Sequence, residues 1–282
     1  MNYADVYYRS PEGLRLYARD YAGPHDAAPA VFCLPGLTRN SKDFAALAAH
    51  LRLRCRVICP DQRGRGRSQR DDDPARYRPD VYVGDMWALA DLLQLPRFAI
   101  VGTSLGGLMA MLMTATVPAR IDRIVINDVG PEIDPRGIAR IAGYVGKSAS
   151  VTSWNDAARQ AARINELAFP DYTEADWMAM ARDLYIQEGA TPVLDYDPAI
   201  ALGVASGTAA PNLWPLFDRL AQTPLLAIRG ALSDLLSEAT FAEMARRLPL
   251  LTPVVVPGRG HAPTLGEPAA LAAIDRFFAA GA

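Results

Sequence analysis

The chain has 282 residues, half of them hydrophobic, and 29 basic against 31 acidic side chains give a net charge of −2. That length suits one large α/β domain carrying an insertion, and the near-neutral balance argues against a nucleic-acid surface. The opening MNYADVYYRS has neither a basic start nor an apolar core, so no secretory signal is read there. Three cysteines in apolar surroundings, Cys33, Cys55 and Cys59, read as buried thiols in a reducing, cytoplasmic setting.

In chain order, Leu14–Asp20 alternates as an early strand, Ala30–Leu34 is a buried strand, and a helix over about Lys42–Leu51 is capped by Asn40 or Ser41. Arg56–Cys59 is a further strand, and a helix over about Asp80–Leu93 leads into the strand Phe98–Val101. The uncharged run Phe98–Val117 is long enough to span a membrane, but its mid-run Gly and Ser residues fit a strand followed by a buried helix better. Ile121–Asn127 and Leu225–Ile228 are strands, then Glu238–Leu248 a helix, Thr252–Val256 a strand and Pro268–Phe278 the last helix. Alternating strands and helices imply a mostly parallel sheet covered on both faces, with chemistry in the loops after the strands.

The stretch from about Glu132 to Leu213 breaks this rhythm. It contains no convincing buried strand and three helical stretches, near Arg136–Val145, Ser153–Phe169 and Thr173–Glu188, the last stopping at Gly189 before an irregular tail, DYDPAIALGVASGTAAPN. The expected organisation is a core of residues 1–131 and 214–282 with a helical cap, 132–213, inserted before the last two strands. Trp154, Phe169, Tyr172, Trp177, Met178, Met180 and Tyr185 divide between the cap's own core and a pocket facing the sheet.

Ser104 stands in Gly102-Thr103-Ser104-Leu105-Gly106, between a strand and a helix. A strand turning sharply into a helix strains its middle residue and leaves no room for side chains two positions away, which is where the glycines stand. This is the G-x-S-x-G nucleophile elbow in its required context. A serine needs a base, and of three histidines only His261 follows a strand tip; His25 lies in a polar loop and His50 on a helix away from the strand ends. The base needs an acid. Asp234, after the Leu225–Ile228 strand, is taken for that role; Asp128, just after Ile121–Asn127, is the alternative, or else braces the loop into the cap. Oxyanion donors are expected from the backbone N–H groups of Leu105 and Leu37.

Five motifs in order, LPGLTRN, PDQRGRGRS, VGTSLGG, RGALSD and GRGHAP, make the chain resemble the α/β-hydrolase fold family in its cap-bearing, esterase-like branch, over nearly the whole length. The order Ser, Asp, His is also the family's. Pro35 stands where relatives usually carry a loop-bracing histidine, and the basic segment Asp61–Ser68 is a structural loop in the family rather than a phosphate site. The resemblance implies a serine hydrolase that cleaves a carboxylic ester through an acyl-enzyme. Ser104 excludes the aspartate-nucleophile dehalogenases and epoxide hydrolases, while Thr103 and Ala262 depart from the C–C hydrolase pattern. A C–C hydrolase, a lactonase and a non-catalytic hydrolase-fold receptor are the alternatives.

No cofactor and no metal are expected, since three scattered histidines make no typical metal site. The expected partner is a small-molecule ester of modest size and mainly apolar character, without nucleic acid or membrane, bound by a monomer or homodimer. From Pro131 to Leu213 there are 11 acidic and 6 basic residues, a net −5, which disfavours polyanionic substrates. Arg159 and Arg163, one helical turn apart, read as a solvated face, with a carboxylate clamp as the alternative.

Overall fold

The structure, a computed structural model, describes residues 2–204 and 212–279. Strands β1 (Ala4–Arg9), β2 (Arg15–Tyr21), β3 (Ala30–Leu34), β4 (Arg56–Asp61), β5 (Phe98–Thr103) and β6 (Ile121–Asn127) precede the insertion. Helices α1 (Ala45–Leu51), α2 (Pro79–Leu92) and α3 (Leu105–Thr116) lie between them. The insertion holds α4 (Pro135–Tyr144), α5 (Trp154–Asn165), α6 (Glu174–Leu184), a hairpin of β7 (Tyr185–Glu188) and β8 (Thr191–Leu194), and the short α7 (Ala201–Val204). Then come α8 (Trp214–Asp218), β9 (Leu225–Gly230), α9 (Glu238–Arg247), β10 (Leu251–Val256) and α10 (Pro268–Ala279).

Among the described residues eight strands form one sheet in the order β1-β2-β4-β3-β5-β6-β9-β10, parallel from β4 onward and antiparallel at β1 and β2. The fold is the expected mostly parallel α/β sheet. Successive side chains of a strand point to opposite faces, and here both faces are dry. Phe32, Leu34, Ile100 and Ile126 pack on one side with α2 and α3, and Val31, Cys33, Val101 and Val125 on the other with α1 and α10. All three cysteines are buried and free. The uncharged run resolves into β5 and α3, and no described helix is long and apolar enough to cross a membrane.

Three local expectations need correction. The edge strand β1 is not among the expected strands, because only Tyr8 of its six residues is buried and the strand lacks a core-like pattern. The third insertion helix ends at Leu184, and Tyr185–Glu188 turns back on Thr191–Leu194 through Gly189 at φ +55°. The glycine expected to stop a helix instead makes a hairpin turn. Of the expected irregular tail, Pro198–Val204 is helical, while 205–211 lie outside the described residues.

Two arginines of the basic loop after β4, Arg63 and Arg65, are internal, while Arg67 is exposed. Arg63 is fully buried and binds Asp85 through two hydrogen bonds of 2.8 and 2.6 Å, Asp71 at 2.7 Å and Glu12 at 2.7 Å. Burial pushes the Asp85 carboxyl up to about 6, against the pull of Arg63. Such a group favours the folded state below its unfolded value and loses that contribution as pH rises through about 6. Removing the guanidinium leaves Asp85 buried without a cation, while Asp71 keeps Arg76 at 3.2 Å, and an unpaired buried charge typically costs about 3–5 kcal/mol. Arg63→Met should therefore lower the urea midpoint sharply at pH 8 and less at pH 5, where Asp85 can take a proton; equal losses at both values would contradict this account.

Candidate active site

Ser104 sits between β5 and α3 at φ +53°, ψ −116°, a conformation that L-residues rarely adopt. The turn is tight enough that a Cβ on Gly106 would lie 1.9 Å from the Leu34 carbonyl oxygen, and one on Gly102 2.3 Å from the Gly106 oxygen. The Ser104 N–H donates to the Asn127 carbonyl at 2.9 Å, tying the turn to β6. The serine side chain is thereby held above the sheet's carboxyl edge.

Ser104 Oγ lies 2.9 Å from His261 Nε2, and His261 Nδ1 lies 2.8 Å from Asp128 Oδ2. The acid that meets the histidine is Asp128, at the end of β6, and not Asp234. Asp128 is fully buried and, at φ +56°, uses the left-handed backbone that aspartate tolerates better than most residues. Its carboxylate also accepts the Gly230 N–H at 2.8 Å and the Ser233 hydroxyl at 2.7 Å. Asp234 turns outward to α4, where it takes Arg140 Nε at 2.5 Å and Nη2 at 2.9 Å. Burial alone would raise its pKa, but Arg140, with the nearby His261, holds it below the ordinary carboxylate value. The physical reason for the correction is sheet order. Strand β6 neighbours the nucleophile strand, so its tip lies beside Ser104, while the turn after β9 supplies Ser233 to Asp128 and offers Asp234 to the insertion. The signal available in the sequence was the pair Asn127-Asp128 ending a strand. Asn127 donates to the Pro263 carbonyl at 2.8 Å and so fixes the loop that carries His261.

The two residues expected to supply oxyanion donors lie on the elements that flank Ser104, α3 and the loop after β3. Leu105 is the first residue of α3, so its N–H has no acceptor within the helix. Leu37 lines the same cavity as Ser104, and its carbonyl accepts Arg65 Nε at 2.8 Å. Gln62 Nε2 reaches the Pro35 carbonyl at 3.3 Å. The Gln62–Arg65 segment thus braces the loop that Pro35 leaves without a histidine. His50 pairs with Asp275 at 2.8 Å on the outer face, and His25 is exposed.

The cavity over Ser104 measures about 400 Å³ and lies between the loops at the sheet's carboxyl edge and the insertion. Phe169, Tyr172, Met180 and Tyr185 line it, whereas Trp154, Trp177 and Met178 pack among the insertion's own helices. Arg159 and Arg163 are exposed and do not line it, which leaves them as a solvated face. Among the described residues no cluster of His, Cys, Asp and Glu is arranged to hold a metal ion.

The sequence profile of the alpha/beta hydrolase fold matches residues 29–268. The chain belongs to the alpha/beta hydrolase fold family. A solved alpha/beta hydrolase from Novosphingobium aromaticivorans superposes with a TM-score of 0.93 at 44% identity, covering 98% of each chain. The chain itself is 34% identical over 281 residues to a 3-hydroxybutyrate-oligomer hydrolase of Cupriavidus necator, spanning 95% of this chain and 94% of that one. It is 26% identical over 237 residues to a 2-(acetamidomethylene)succinate hydrolase of Mesorhizobium japonicum, spanning 83% and 82%.

The two aspartates separate cleanly by experiment. Asp128→Asn should lower kcat by about 10³–10⁴-fold on a p-nitrophenyl ester, because the imidazole loses both its tautomer lock and its counter-charge. Asp234→Asn should cost far less; the reverse ranking would return the acid's role to Asp234.

Proposed function

We propose that the protein is a carboxylester hydrolase acting through Ser104, His261 and Asp128 on short oligoesters of a hydroxy acid. The observation that carries the reading is the continuous hydrogen-bonded chain from Ser104 Oγ through His261 to buried Asp128, opening into a partly apolar cavity. His261 takes the serine proton as Oγ attacks the ester carbonyl, and Asp128 stabilises the imidazolium that forms. The N–H groups of Leu37 and Leu105 receive the oxyanion. The alcohol leaves with the proton from His261, and water repeats the sequence on the acyl-enzyme. In this reading residues 132–213 act as a cap on a core of 1–131 and 214–282.

The substrate class rests on full-length similarity to the 3-hydroxybutyrate-oligomer hydrolase. A cavity of about 400 Å³ has the size range of sites for small organic ligands, which suits a dimer or trimer of such an acid. The test is hydrolysis of 3-hydroxybutyrate dimer and trimer, with p-nitrophenyl acetate, butyrate and octanoate as general ester probes. Release of monomer by the wild type and its loss in Ser104→Ala is the expected result. Turnover of the p-nitrophenyl esters without attack on the oligomers would keep the esterase and discard the substrate class. Equal rates in both proteins would discard the nucleophile.

A further inference from the structure

The reaction as derived makes no use of a guanidinium in the cavity wall. Arg39, in the loop after β3, lines the cavity a few residues from the Leu37 N–H. The position that a Cβ on Gly36 would occupy lies 3.5 Å from Arg39 Cγ and 3.7 Å from Ser104 Cβ, so the arginine stem and the nucleophile flank the same glycine. Arg39 Nε donates to Asp43 Oδ2 at 2.5 Å. Among the described residues neither Nη group has a hydrogen-bond partner, and a quarter of the side chain is exposed in a residue that faces the cavity. Asp43 sets the direction of the guanidinium and satisfies one of its five donors, leaving the forked Nη edge for something else.

The cavity wall holds a second unsatisfied group. Asp183 of α6 lines the cavity and makes no hydrogen bond or ion pair among the described residues. Burial, then the charge of Asp43, pushes its carboxyl up to about 6 even though Arg39 and Lys42 pull the other way. A fork of donors beside the nucleophile selects a planar acceptor, and a carboxylate is the acceptor it matches in two parallel hydrogen bonds. An oligoester of a hydroxy acid carries one such group, the free carboxylate of its terminal unit.

We propose that Arg39 is the binding subsite for the free carboxylate of a hydroxy-acid ester, and that Asp183, in the wall of the same cavity, tunes its strength. The inference rests on the oligoester reading above. It makes the leaving hydroxy acid an anchored group: its carboxylate is held on Arg39 while its oxygen receives the proton from His261. No contact to the carboxylate is needed from the exposed arginines of α5.

The experiment compares kcat/KM for 3-hydroxybutyrate dimer as the free acid and as its methyl ester, in wild type, Arg39→Gln, Arg39→Lys and Asp183→Asn, each checked for folding by circular dichroism. The wild type should favour the free acid by about tenfold or more, the strength of a charge-assisted pair. Arg39→Gln should collapse that ratio, Arg39→Lys should keep part of it, and Asp183→Asn should raise it. An unchanged ratio in Arg39→Gln would overturn the subsite. A second readout is inhibition of p-nitrophenyl butyrate hydrolysis by 3-hydroxybutyrate itself. If no protein attacks the dimers, the oligoester reading fails. The subsite then stands only if Arg39→Gln weakens that inhibition and Asp183→Asn strengthens it, and falls if neither variant moves it.

Discussion

The whole site depends on how closely two pieces of backbone approach beneath Ser104. The first turn of α3 presses against the end of β3 so tightly that one added carbon on Gly106 would collide with the Leu34 carbonyl. That approach brings the loop after β3, with Leu37 and Arg39, alongside the serine and within the same cavity. It also sets the strained backbone of Ser104, which only a rigid surround can maintain. The surround is the sheet itself: β5 lies between β3 and β6, and both neighbours contribute to the site at their carboxyl ends.

Charge is the second organising element, and much of it is inside. Arg63 and Arg65 are buried in the basic segment Asp61–Ser68, which continues from the end of β4. Arg63 joins Glu12, Asp71 and Asp85, so the N-terminal hairpin, the loop after β4 and helix α2 meet at one guanidinium. Arg65 turns the other way. It donates to the Leu37 carbonyl and to the Arg63 carbonyl, and its guanidinium lies 4.8 Å over the ring of Tyr82. Paired, these cations hold loops; unpaired, each would carry a large desolvation penalty.

Much of the architecture was legible in the residues because its signals are local. The glycines flanking Ser104, the charge-free strand before it and the Ala- and Met-rich helix after it leave little alternative. His261 could be selected because the other two histidines lie away from the strand ends. The acid could not be selected that way. Asp128 and Asp234 both follow strands, and only the spatial order of those strands, a long-range property, decides which carboxylate meets the imidazole. The hairpin at 185–194 was hidden for a related reason, since Tyr185–Glu188 continues the preceding helix in composition and is a strand by virtue of its partner. Arg39, within LPGLTRN, carries no local signal, because the sequence does not show what surrounds its side chain.

The loop that bears the histidine is stitched to the insertion on its other side. The Gly260 N–H donates to the Ala168 carbonyl at 2.8 Å, and Arg259 binds Asp171 of the insertion and Glu267 of the core at once. A Cβ on Gly260 would lie 2.7 Å from Ala168 Cα, so the two backbones are in contact. The covering segment is therefore not an interchangeable cassette. Grafting a foreign one onto this core would remove a support of the His261 loop along with walls of the cavity, so the shape of the cavity and the placing of the imidazole must vary together.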